Sequence, residues 1–147
     1  NRFRLTEPVG EMTMLPYEIK PAMQGLIPRT LVSCSLEGEP NTTEISQVWY
    51  VDDIHVALSH QFFNKTHRNI RANPFVFVII RDPEAYQEWH LELQYDHSET
   101  EGALFDEMDM KLEAIASMTG MSDIFQLRAA DIYKVLSVRQ SNSRNIA

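Results

Sequence analysis

Six consecutive apolar residues, Phe75-Val-Phe-Val-Ile-Ile80, constrain this chain more than any other feature. The run is far short of the ~18 apolar residues that span a membrane. Its length and its β-branched and aromatic content make it a strand, and apolar side chains at successive positions need cover on both faces. A barrel wall or a subunit contact supplies such cover. Downstream, Trp89, Leu91, Leu93 and Tyr95 alternate with His90, Glu92, Gln94 and Asp96. That is a strand with one buried and one wet face.

The remaining segments fit around these two. Pro8, Pro16, Pro21 and Pro28 keep the first thirty residues irregular, with a short helix from Pro21 to Met23 stopped by Gly25. A strand is predicted over Leu31–Leu36, with Val32, Cys34 and Leu36 on one face. After a turn at Glu37-Gly-Glu-Pro40, a second strand covers Thr42–Val51. After Asp52-Asp53, a third covers Ile54–Ser59. Tight connections between the three predict an antiparallel meander. Asn64 as N-cap and Asn73-Pro74 as a stop bracket a helix over 65–72. Ser98-Glu-Thr-Glu101 has the spacing of a capping box and predicts the start of a long helix. Leu104, Met108, Leu112, Ile115 and Met118 form its apolar stripe, and Gly120 ends it. Ile132–Val138 is the last strand.

At 147 residues the chain is the size of one domain. Residues 1–25 read as an N-terminal arm with a short helix, 26–139 as the domain and 140–147 as a polar tail. Six strands, one long helix and two short ones predict a mainly β fold, a β-barrel with peripheral helices.

Thirteen Lys and Arg against twenty-one Asp and Glu give a net charge of −8. A nucleic-acid partner, which needs a basic face, is not expected. No membrane span or signal peptide is visible, and a lone cysteine excludes an intrachain disulfide, so a reduced, cytoplasmic setting is expected. The absence of an initiating Met fits a domain taken from a longer protein. The charge is unevenly spread. From His55 to Arg81 there is no acid, but there are Lys65, Arg68, Arg71, Arg81, His55, His60 and His67. From Asp82 to Glu113 there are eleven acids and one base. The middle of the basic window, Asn64-Lys-Thr-His-Arg68, falls at a predicted helix start, where unpaired N–H groups and the helix dipole favour a phosphate. Lys65 adds a point charge and Thr66 a hydroxyl donor. The competing reading is a solvated basic helix face.

Other chemistry finds little support. The five histidines have no ligand spacing on one helix face, so no metal is expected. Ser59 and His60 point to opposite faces of a strand and are not a nucleophile–base pair. Cys34 reads as a buried, inert thiol. No glycine-rich dinucleotide or nucleoside-triphosphate loop occurs.

The order of these elements resembles one known family. A Gly38-Glu-Pro40 turn joins two strands. A strand ending Val56-Ala-Leu-Ser59, a Lys65-bearing helix start, an Asn73-Pro74 stop and an apolar strand follow. Together with Ile45-Ser-Gln-Val-Trp-Tyr-Val-Asp-Asp53 and Phe62-Phe-Asn-Lys-Thr-His-Arg-Asn69, this pattern is similar to the pyridoxamine 5'-phosphate oxidase-like FMN-binding split barrels over about residues 26–139. The resemblance implies a six-stranded antiparallel Greek-key split barrel and a homodimer with FMN at the subunit interface. It implies Ser46, Gln47 and Val48 beside the isoalloxazine ring, and Ser59, Asn64, Lys65 and Thr66 around the phosphate, with Lys65 and Thr66 both candidates for the family's lysine position. A flavin-contacting Gln of the family falls near Gln87 or Glu88.

The family's substrate-holding Arg-Leu segment is missing from Leu136-Ser-Val-Arg-Gln-Ser-Asn-Ser143, so vitamin B6 phosphate is not the implied substrate. The function expected is an FMN-dependent oxidoreductase acting on an unknown small molecule, with no catalytic side chain assigned. Deazaflavin or haem is the alternative cofactor. A non-catalytic flavin- or haem-binding sensory module of a larger signalling protein is the alternative role, and a cofactor-free dimeric barrel is a third.

Overall fold

A computed structural model describes residues 12–23, 29–45, 47–60, 64–82, 87–118, 120 and 126–142. Among them, β1 (Arg29–Cys34), β2 (Pro40–Ile45), β3 (Trp49–Asp52), β4 (His55–His60), β5 (Phe75–Asp82), β6 (Gln87–Glu99) and β7 (Ala129–Asn142) form one antiparallel sheet. Its order is β2-β1-β5-β6-β7-β4-β3. The helices are α1 (Lys20–Met23), preceded by a 3-10 turn at Tyr17–Ile19, α2 (Asn64–Ala72) and α3 (Ala103–Met118). Within the sheet, β4-β7-β6-β5 has Greek-key order, with α2 on the long connection. The mainly β split-barrel expectation therefore holds, but with seven strands.

The seventh strand comes from dividing the predicted Thr42–Val51 segment. Ile45 ends β2 and Trp49 begins β3, and these strands occupy opposite edges of the sheet. Four residue steps reach at most about 14 Å, so the two edges converge and the sheet curls on itself. No three-strand meander forms. The β1–β2 and β3–β4 hairpins are instead separated across the fold.

The main core lies inside this curl. Leu31, Val56, Val78, Trp89, Leu91 and Val138 are buried there, each no more than 1% exposed. The arm caps it. Met12 pairs with Val138, the Leu15 N–H donates to the Asp53 carbonyl, and Ile19, Ala22 and Met23 are buried in the core. Residues 1–11, the Gly25 stop and residues 143–147 lie outside the described residues. β7 continues through Gln140–Asn142, so this part of the polar stretch is paired with β6.

The faces of β1 and β5 are unevenly covered, and the Cys34 thiol expected to be buried is not. On β1 the buried side chains are Arg29, Leu31 and Ser33, while Val32 and Cys34 are half-buried and Leu36 is exposed. The inward polar groups have partners: Arg29 Nη2 donates to the Ala22 carbonyl and Ser33 Oγ accepts from Asn69. Cys34 is accordingly the half-buried last residue of its strand. On β5, Val76, Val78 and Ile80 are buried, but Phe75 is 53% exposed and Phe77 and Ile79 are half-covered. This chain alone covers one face of the apolar run.

A second apolar cluster lies on the other side of the sheet, where α3 packs Met108, Leu112 and Ala116 against Trp49, Ala57 and Ile132. The helix begins later than the capping-box spacing predicts. β6 stays paired with β7 through Glu99, and Ser98 Oγ donates to Asp131 Oδ1 at 2.7 Å. Gly102, at φ +105, then turns the chain, and its carbonyl accepts the Asp106 N–H; this left-handed conformation is readily available to glycine. The stripe ends at Ala116, with Met118 pointing into solvent at 82% exposure.

Candidate functional site

The β3–β4 hairpin brings together three of the sequence-predicted positions, Gln47, Val48 and Ser59. Trp49 opposes Ala57, so the chain before β3, Gln47 and Val48, lies at the same end of the hairpin as Ser59 and His60. Four residues after His60, α2 starts at Asn64. The end of β4 is fixed by Ser59 opposite Ala130 and by the Arg128 N–H donating to the His60 carbonyl at 3.0 Å.

The individual residues differ in setting. Val48 is fully buried in the main core, and Gln47 is half-exposed. Ser59 is buried on β4. Asn64 and Lys65 are placed by their backbone on the first turn of α2. Ser46 lies outside the described residues. Thr66 faces inward: at 3% exposure it packs toward the β1–β2 hairpin, and its Oγ1 accepts a 3.0 Å hydrogen bond from Asn41 Nδ2.

Asn41 was not legible as part of this region, because it lies twenty-five positions from Thr66 in the chain. One turn along α2, Asn69 Nδ2 donates a longer, 3.4 Å bond to Ser33 Oγ. Asn41 and Ser33 are themselves register partners in β1–β2. Two polar rungs, with buried Ile70 beside them, thus seat α2 on the hairpin. Arg68 and Arg71 face solvent. The first-turn N–H groups of a helix have no intrahelical acceptors, so this seated helix offers donors and a positive dipole end beside Lys65.

The basic window does not form one patch. Arg81, on β5, pairs with Glu88 at 3.0 Å, and His55 lies 2.9 Å from Asp52. Glu88 also meets His90 Nε2 at 2.7 Å. The His90 hydrogen bond, joined by the Arg81 charge, holds the Glu88 carboxyl below its ordinary range against the opposing effect of burial. Glu88 is therefore engaged in an ion-pair cluster. Among the described residues, no group of three or more His, Cys, Asp or Glu could hold a metal ion, and no helix is long and apolar enough to cross a membrane.

Beside Gln47 lies a cavity of about 210 Å³ between α1, β3 and α3. Lys20, Gln47, Trp49, Tyr50, Glu107 and Lys111 are among its lining residues. Nothing in the local sequence links these segments, which the fold brings together.

No family model matches the chain, and no curated protein sequence matches it. Solved structures do. An FMN-binding protein from Syntrophomonas wolfei superposes with a TM-score of 0.68 at 16% identity, covering 95% of this chain and 92% of that one. A putative pyridoxamine 5'-phosphate oxidase from Lactobacillus delbrueckii superposes at 0.59 and 11% identity, covering 88% and 95%. HutZ, the heme storage protein of Vibrio cholerae, superposes at 0.55 and 17% identity, covering 83% and 89%. The chain has the split-barrel fold of these proteins.

Proposed function

We propose that this chain binds FMN as a homodimer and serves as an FMN-dependent oxidoreductase for a small molecule. The observation that carries the reading is the hairpin register, which sets Gln47, Val48 and Ser59 at one end of β3–β4, where α2 begins. A phosphate needs donors and positive charge. The first turn of α2 presents backbone N–H groups, with Lys65 on the same turn. Thr66, held by Asn41, contributes by fixing the helix, and Ser59 and Asn64 are assigned to the phosphate end. Ser46, Gln47 and Val48 are assigned to the ring.

FMN, when bound, supplies the redox chemistry. The protein's own contribution is an anchor, hydrogen bonds along the ring edge and an apolar wall. The half-covered outer row of Phe75, Phe77 and Ile79 is the surface on which a second copy packs, which gives the apolar run its second cover. The fold likeness to the Syntrophomonas FMN-binding protein supports this reading. The likeness to HutZ supports a rival one, a haem-binding or sensory barrel.

Titration of the purified apoprotein with FMN, a deazaflavin and haem, followed by visible absorption, separates these readings. Saturable FMN binding is expected. Lys65→Ala should weaken it about 10–100-fold, the loss of one charge-assisted bond. Haem binding without flavin binding transfers the assignment to the haem reading.

A further inference from the structure

The cavity between α1, β3 and α3 has a lining unlike that of the phosphate end. Two lysines line it, Lys20 from α1 and Lys111 from α3. Lys20 Nζ lies 4.3 Å from the centre of the Tyr50 ring and 5.3 Å from that of Tyr17. Lys111 Nζ lies 5.1 Å from the centre of Trp49 and 3.2 Å from Glu107 Oε1. Among the described residues, Lys20 has aromatic neighbours but no acidic partner. Two ammonium groups and one carboxylate leave the lining with a net charge of +1, in a chain whose total is −8. The half-exposed Tyr50 ring supplies an aromatic wall.

We propose that this cavity binds a small organic monocarboxylate with an apolar body. One negative charge balances the lining. The space, about 210 Å³, equals that of about seven waters, which suits a single-ring acid. The carboxylate meets Lys20 and Lys111, and the body lies against the Tyr50 ring. A cation held against an aromatic face gains about 0.5–1 kcal/mol when exposed, less than the ~1.5–3 kcal/mol of a charge-assisted hydrogen bond, so Lys20 gains by turning to a carboxylate, while Lys111 shares its charge between Glu107 and the ligand. Gln47 and Val48 also border the stretch assigned to the flavin ring, but the acid site rests on the lining alone.

Benzoate is the probe, benzamide its uncharged control, and the indole N–H signal of Trp49 the reporter, on full-length protein without FMN. Saturable movement of that signal by benzoate is expected. Benzamide, Lys20→Met and Lys111→Met should each weaken binding about tenfold. Thermal melts establish that the variants fold, and the benzamide comparison needs no variant. A Trp49 signal unmoved by benzoate, or equal binding of benzamide, overturns the proposal. If FMN titrates normally in that same preparation, the acid site alone falls. Benzoate binding in a protein that ignores FMN leaves the site standing and removes the flavin reading.

Discussion

Asn41 on β2 donates through Nδ2 to Thr66 Oγ1 on α2 at 3.0 Å, tying the first turn of a helix to a hairpin distant in sequence. Thr66 is 3% exposed, so its hydroxyl has little access to water in place of Asn41. Asn41→Ala should therefore cost about 1–2 kcal/mol, the loss of a bond plus a poorly solvated oxygen. Thr66→Val should cost less, because half-exposed Asn41 can turn to solvent. Urea unfolding of both single variants and the double variant forms a cycle. The double variant should cost less than the sum of the singles; strict additivity would mean that the two side chains act independently.

The face of α3 toward the sheet makes a second contrast. Met108 is fully buried among Trp49, Ala57 and Ile132, whereas Met118 is 82% exposed. Met108→Ala should destabilise by about 2–5 kcal/mol through the cavity it leaves. Met118→Ala should stay within about 0.5 kcal/mol. Chemical denaturation of the two variants measures the difference, and equal effects would contradict the packing described.

His97 carries a pH dependence. Its Nε2 lies 3.0 Å from Glu99 Oε2, and its Nδ1 contacts Asp96. The Glu99 hydrogen bond, followed by that of Asp96, raises its pKa above the ordinary histidine value. A raised folded pKa favours the protonated, folded state. The contribution is complete below the unfolded value of about 6.5 and is lost as pH rises through the folded value. An NMR titration should place the His97 midpoint above that of an unfolded peptide, and His97→Gln should flatten stability against pH across this window. A midpoint at or below the peptide value would contradict the assignment.

The exposed Phe75, with Phe77 and Ile79 beside it, predicts a dimer. Light scattering should give about 34 kDa, twice the 17.0 kDa chain. Phe75→Glu should shift the mass toward one chain without unfolding the barrel, as seen by circular dichroism. A wild-type monomer would remove the proposed second cover of β5.

The sequence made the strands of this fold legible where local pattern and tertiary burial agree. Trp89, Leu91 and Leu93 alternate as predicted and are buried, and α2 matches its bracket within one residue. Prediction failed where long-range pairing decides the outcome. Thr42–Val51 has uninterrupted strand character, and only the crossing between sheet edges divides it. Apolar neighbours favoured a buried Cys34, but Arg29 and Ser33 are the residues of β1 that turn inward, where Ala22 and Asn69 meet them. Ser98 and Glu101 have helix-cap spacing, yet pairing of β6 with β7 through Glu99 takes precedence over it.

The candidate site follows the same division. The helix start at Asn64–Lys65 could be read from its caps, whereas the Asn41 bond that holds Thr66 could not. Arg81 counted toward the basic window, but its cross-strand neighbour Glu88 engages it.

Comparing FMN with riboflavin on the wild-type protein tests the central claim, a phosphate held at the start of α2, most directly. The two ligands share the ring and differ at the phosphate. Fluorescence titration should show FMN binding at least about tenfold more tightly than riboflavin, the worth of one charge-assisted bond. Equal affinities, or no binding of either, would contradict the account.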